Sequence, residues 1–112
     1  ASGKAILAML PEEATIRIFK KYNPEFDVHV SSEMKTFIDD LKIVRAQGYA
    51  LDCESLEPGV NAVAAPILGI NKKPIASLAI AGPAYRLNLD MMHQLGQKLI
   101  NVTREISSKI SP

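Results

Sequence analysis

The chain has 112 residues, of which 47% are hydrophobic, and its formal net charge is +1. That length fits one domain with one core, and the apolar content excludes a disordered tail. The near-neutral charge, with no Lys/Arg block longer than two residues, excludes a module that binds DNA by itself.

A single cysteine, Cys53, excludes an internal disulfide and suits a reducing compartment, so a cytoplasmic location is expected. No apolar run reaches the length of a membrane span, and none fits a signal peptide, because Lys4 precedes only the short run Ala5–Leu10. The chain opens inside a helix start, as expected of a segment of a longer protein.

In chain order, Ser2-Gly3-Lys4 leads into the short apolar helix Ala5–Leu10. Pro11-Glu12-Glu13 then starts a second helix, since proline suits a first turn and carboxylates suit the positive end of the dipole. Ile16, Phe19 and Tyr22 follow at helical spacing, Lys20 and Lys21 suit the C-terminal end, and Asn23-Pro24 stops the helix. Asp27–Val30 reads as a short extended piece. Ser31 or Ser32 caps a third helix with the apolar stripe Met34, Phe37, Ile38, Leu41 and Val44, and Gly48 ends it.

Three strands are predicted, at about 49 to 53, 60 to 69 and 75 to 81. Glu57-Pro58-Gly59 is turn chemistry between the first two. Gly69 to Pro74 is a hairpin-length connection between the last two. Asn88 caps a long final helix with Met92, Leu95, Leu99, Val102 and Ile106 on one face, which reads as core or as a subunit contact. Helices before a hairpin-linked sheet and one after it predict an α+β fold with an antiparallel sheet.

Strand parity divides the sheet into two unlike faces. Val60, Ala62, Ala64 and Pro66 share one face of the second strand, and Ser77, Ala79 and Ala81 share one face of the third. Val63, Ile67, Leu78 and Ile80 make the opposite, large-residue face, on which helices pack. The small-residue face has two readings: it floors a cavity for a small molecule, or it lets a helix approach closely.

The chemistry-bearing residues are few. Asp52, at the end of the first strand, either bonds a ligand's hydroxyl or amine or is an exposed acid in a loop with Glu54 and Glu57. Ser2-Gly3-Lys4 presents free backbone N–H groups that can hold a carboxylate or phosphate, or is an ordinary helix cap. It is not a phosphate loop, because Ala5 stands where Ser or Thr is required. Cys53 lies between two carboxylates and makes a poor nucleophile. His29 and His93 are solitary, with no Cys or His at ligand spacing, so no metal site is expected. Lys72 and Lys73 read as a solvated hairpin tip. With no nucleophile–base pair, metal set or phosphate loop, enzymatic activity is not expected.

Three sequence blocks together resemble the C-terminal effector-binding domain of IclR-family transcriptional regulators. They are Ala1-Ser2-Gly3-Lys4-Ala5-Ile6-Leu7-Ala8; Gly48-Tyr49-Ala50-Leu51-Asp52 continuing through Glu57-Pro58-Gly59-Val60 to Ala64-Ala65-Pro66-Ile67; and Ile75 to Pro83 with Arg86-Leu87. The resemblance runs through the whole chain in order. It implies a GAF-like α+β domain, with an antiparallel sheet flanked by helices and a long C-terminal helix. It also implies a small-molecule effector, no cofactor, and self-association as a dimer or tetramer. DNA would be contacted only through an N-terminal winged helix-turn-helix that lies outside this chain. The effector domain, residues 1–112, would itself be N-terminally incomplete, lacking its opening strands.

Carried over position by position, the family's effector site falls on Ala1, Ser2, Asp52, Ala62, Ala79 and Ala81. Backbone amides at Ala1 and Ser2 would take a carboxylate, and the acid at Asp52 is present. The family's frequent cysteine is Ala62 here, two serines are Ala79 and Ala81, and the usual second acid is Cys53. The lost donors, each worth roughly 0.5–1.5 kcal/mol net, imply a larger or more apolar acid, such as an aromatic one, in place of glyoxylate or pyruvate. The alternatives are a ligand-free dimerisation or tetramerisation module of such a regulator and, more remotely, a small enzyme.

Overall fold

The first helix is short because the sequence interrupts it. In the computed structural model, which describes residues 1–22, 32–54 and 57–110, α1 spans Ser2–Leu7 and α2 spans Glu12–Tyr22. Pro11 separates them, and its carbonyl accepts the N–H groups of Ala14 and Thr15 at 3.0 and 3.2 Å. The Thr15 hydroxyl donates back to the Leu7 carbonyl at 3.3 Å, so the second helix is tied to the first. The extended piece predicted at Asp27–Val30 and the Ser31 cap lie outside the described residues.

Helix α3 spans Ser32–Gln47. Met34, Ile38, Leu41 and Val44 are buried along one face and Phe37 is half-buried, as the stripe predicts. Gly48 closes the helix at φ +93°, with its N–H on the Val44 carbonyl at 2.8 Å. That left-handed conformation is open to glycine at little cost. A side chain at this position would also stand 2.9 Å from Ile100 Cδ1.

Strands β1 (Ala50–Cys53), β2 (Val60–Leu68) and β3 (Pro74–Pro83) form one antiparallel sheet in the order β1-β2-β3. The bounds lie within two residues of the predicted ones. A bulge between Ile67 and Leu68 lets Leu68 pair with Pro74, which has no N–H to give. At this irregularity the Leu68 N–H donates to Ser107 Oγ of α4 at 3.1 Å.

Helix α4 (Leu89–Ile110) starts at Asn88, whose side-chain oxygen accepts the Met91 N–H at 2.9 Å. Its buried stripe is Met92, Gly96, Leu99 and Thr103. The predicted stripe is therefore rotated: Leu95 and Ile106 are half-buried and Val102 is exposed. Gly96 sets the rotation, since a Cβ there would lie 2.6 Å from Cγ and Cδ2 of Tyr49. The helix settles with the Tyr49 ring against its bare backbone.

Two cores result, one on each face of the sheet. Tyr49, Val63, Ala65, Leu87, Met92 and Leu99 pack between the large-residue face and α4. Ala5, Ala8, Leu41, Val44, Ala50 and Ala64 pack between the small-residue face, α1 and α3. Ala5, Ala50 and Ala64 are each 0% exposed, so part of the small-residue face serves close helix approach. That settles one of the two sequence readings for Ala64.

Candidate functional site

The strand register lines the predicted residues up across the sheet. Asp52 of β1 pairs with Ala62 of β2, which pairs with Ala81 of β3. Next to this row, Ala50 pairs with Ala64 and Ala64 with Ala79. Side chains of directly paired residues lie on the same face. Asp52, Ala62, Ala79 and Ala81 therefore share one face, on which the start of α1 also sits.

Helix α1 supplies the polar contacts. The Ala1 N–H donates to Asp52 Oδ2, and Lys4 Nζ lies 3.0 Å from Asp52 Oδ1. The same Lys4 ammonium lies 3.3 Å from Asp40 Oδ2 of α3. Asp52 is 5% exposed. It is thus a buried carboxylate paired with the Lys4 ammonium, and the loop-acid alternative does not hold for it.

Burial works to push the Asp52 carboxyl up, but the hydrogen bonds from the Ala1 nitrogen and Lys4 outweigh it, and the net shift is downward. For Lys4, partial burial works to push the ammonium down. The bond to Asp52 and the charges of Asp40 and Asp52 outweigh that, and the net shift is upward. The two groups hold each other ionised.

Around this cluster the other candidates fall as follows. Ala1 is half-buried and Ser2 exposed, and α1 has no side-chain cap, so its first N–H groups meet no capping oxygen. Ala62 is half-buried, while Ala79 and Ala81 are exposed. The expected cavity above these alanines is not enclosed by the described residues. A recess of about 440 Å³ and a smaller one of about 130 Å³ both lie elsewhere. Cys53 is exposed. Glu54 accepts the Gly59 N–H at 2.6 Å, which closes the turn before β2.

Sequence reasoning missed two polar residues near the site. Lys4 was read only as part of a helix start, and its pairing with Asp52 needs the three-dimensional path of α1 across the sheet. Asn61 was missed although its signal was available: it is a polar residue on the same parity as Val63 and Ile67. It is 8% exposed and donates to the Leu87 carbonyl at 2.9 Å, and its Oδ1 has no described partner. On the same side of the sheet, the Tyr49 hydroxyl lies 2.6 Å from Nδ1 of His93, so this histidine is a structural hydrogen-bond partner.

Among the described residues no group of three or more His, Cys, Asp or Glu is placed to hold a metal ion. No described helix is long and apolar enough to cross a membrane.

Residues 1–108 match the family model described as the bacterial transcriptional regulator IclR C-terminal domain. The HTH-type transcriptional regulator BhcR of Paracoccus denitrificans is 30% identical over 111 residues, which cover 98% of this chain and 40% of that protein. The chain thus spans well under half the length of such relatives. Among solved structures, IclR of Thermotoga maritima superposes with a TM-score of 0.80 at 29% identity, over 100% of this chain and 46% of that one. The inducer-binding domain of the PobR transcription factor from Acinetobacter, a double mutant in complex with 3-hydroxybenzoic acid, superposes with a TM-score of 0.75. It is 26% identical over 95% of this chain and 62% of that one. These relatives are transcriptional regulators and not enzymes, and the antiparallel sheet with its long last helix is the architecture of their effector-binding domains. The chain belongs to the IclR family, whose C-terminal domain it carries.

Proposed function

We propose that the chain senses a small organic acid and that binding changes the grip of the intact regulator on its operator. One observation carries the reading: Ala1, Ser2, Asp52, Ala62, Ala79 and Ala81, which lie far apart in sequence, meet on one face of the sheet at the start of α1. DNA contact is assigned to a separate N-terminal domain, and the working protein is assigned to the cytoplasm as a dimer or tetramer. An effector acts only through its different affinities for two arrangements of the protein.

The effector is proposed to be a carboxylate more apolar than glyoxylate or pyruvate, and an aromatic acid fits best. Three alanines supply methyl groups and no donors on the floor of the site. Support also comes from PobR, whose inducer-binding domain holds an aromatic acid. In this reading the carboxylate lies at the start of α1, taking the Ser2 amide and the Ala1 N–H that now faces Asp52, and Asp52 stays ionised to accept a hydroxyl or amine.

Calorimetric titration of the full protein with glyoxylate, pyruvate, benzoate and 3-hydroxybenzoate tests the proposal. Preference for the aromatic acids is expected. Tight binding of glyoxylate alone would sink the apolar reading. If no acid binds while the protein still self-associates, the ligand-free assembly module takes its place. Exposed Met91 and Val102 of α4 are apolar surface that such an assembly would cover.

A further inference from the structure

The larger recess, of about 440 Å³, opens where the end of α3, the β2–β3 connection and the later turns of α4 come together. Pro66 lines it, four residues along β2 from Ala62, so it stands roughly 13 Å from the Asp52 row at about 3.3 Å per residue. Three cations from three separate elements converge on it: Arg45 of α3, Lys72 of the connection and Arg104 of α4.

No described carboxylate pairs with any of these three. The acids that do form ion pairs face other partners: Glu105 faces Lys109 at 3.8 Å, and Asp40 and Asp52 face Lys4. With a net charge of only +1 for the whole chain, this is a strong local excess of positive charge. Like charges around one recess repel, and a bound anion would relieve them.

One further feature suits an anion. Ser107 Oγ accepts the Leu68 N–H at 3.1 Å, which leaves its own hydroxyl proton free to donate, and Ser107 lines the recess. Asn71 and Lys72 are consecutive non-glycine residues in the left-handed region, at φ 59° and 58°. This is the type I′ pattern of a tight hairpin turn, with Asn at its first central position. Here it is held by Gly69 N–H on the Lys73 carbonyl at 2.7 Å and Lys73 N–H on the Ile70 carbonyl at 3.2 Å. The turn leaves Lys72 exposed at the hairpin tip, as the sequence predicts, and at the edge of the recess.

We propose that this recess is a second binding site, for a small organic polyanion carrying two or more carboxylate or phosphate groups. Arg45, Lys72 and Arg104 share its charge, and Ser107 donates a hydrogen bond. The apolar wall of Met9, Leu68 and Ile100 receives the carbon skeleton. A volume of this size lies in the usual range for small-molecule sites. The proposal does not depend on the effector reading, because it uses none of the same residues.

The test is calorimetric titration of the full protein at low salt with citrate in one arm and pyrophosphate in the other. Saturable binding of either probe is expected, and the preferred probe tells a carboxylate ligand from a phosphate one. The Arg45→Gln/Arg104→Gln double variant should bind at least about tenfold more weakly. A control, Lys35→Gln/Lys98→Gln, removes the same charge from exposed positions outside the recess and should bind as the parent does. Ser107→Ala should weaken binding while leaving net charge unchanged. The idea is overturned if neither probe binds, or if the control loses as much affinity as the recess variant. Matching thermal melting curves would show that any loss reflects the site and not unfolding.

Discussion

Lys4 Nζ of α1 stands 3.0 Å from Asp52 Oδ1 of β1 and 3.3 Å from Asp40 Oδ2 of α3, so one ammonium joins three elements at the candidate site. Nearly buried Asp52 depends on this contact, and the direction of its pKa shift makes the dependence measurable.

The Asp52 carboxyl titrates below its ordinary 3.8 in the folded protein. Its contribution to stability is therefore fully present above that value and is lost as pH falls through the folded value. Lys4 titrates above 10.5, so its contribution is present below 10.5 and is lost as pH rises through the higher folded value. Asp52→Asn should cost about 1.5–3 kcal/mol at pH 7, the range for hydrogen bonds to charged groups. It should also remove part of the stability loss seen in acid. Urea unfolding of both proteins from pH 7 to pH 3 measures this, and an unchanged acid slope in the variant would count against the pairing.

Gly96→Ala should destabilise the fold, although alanine is the better helix former by about 0.8–1.0 kcal/mol. Its Cβ would meet Cγ and Cδ2 of Tyr49 at 2.6 Å, and the ring is tethered through its hydroxyl to His93. Overpacking of this kind costs about 1–3 kcal/mol, so a net loss of up to roughly 2 kcal/mol is expected. A lowered unfolding midpoint with unchanged m-value would bear this out. In a Tyr49→Leu background the penalty should shrink, because the rigid ring is gone.

Serines at 79 and 81 should shift ligand preference without touching the fold. Both alanines are exposed, so the hydroxyls displace no packed atom. If each donor yields about 0.5–1.5 kcal/mol, Ala79→Ser/Ala81→Ser should raise affinity for small polar oxo-acids by roughly 5- to 150-fold. Affinity for benzoate should change little. Parallel titrations compare the two classes, and an equal gain for both would mean that the serines do not reach the ligand.

The fold was legible wherever local pattern and tertiary packing agree. Gly48, Asn88 and the apolar stripe of α3 mark their helices unambiguously, and strand parity puts Asp52, Ala62, Ala79 and Ala81 on one face. The stripe of α4 is right at Met92 and Leu99 but takes Leu95 and Val102 for Gly96 and Thr103, because the close approach of Tyr49 to Gly96 turns the helix, and no periodicity contains a contact 47 residues away in sequence. Asp52 was legible as a residue but not as a buried ion pair, since Lys4 meets it only after α1 crosses the sheet. The basic recess was not visible at all. Arg45, Lys72 and Arg104 are each unremarkable in their own segments, and only the fold gathers them.

The cross-strand row also bears on how such a domain changes its preference over time. Positions 62, 79 and 81 belong to neither core, and backbone pairing holds them in register whatever side chain they carry. A mutation there alters what the surface can recognise at almost no cost to folding. Changes at Ala50 or Ala64, fully buried under α1 and α3, would meet packed atoms at once. Neighbouring alanines on one sheet face are thus under opposite constraints, three free to explore new chemistry and two held fixed by the helices above them.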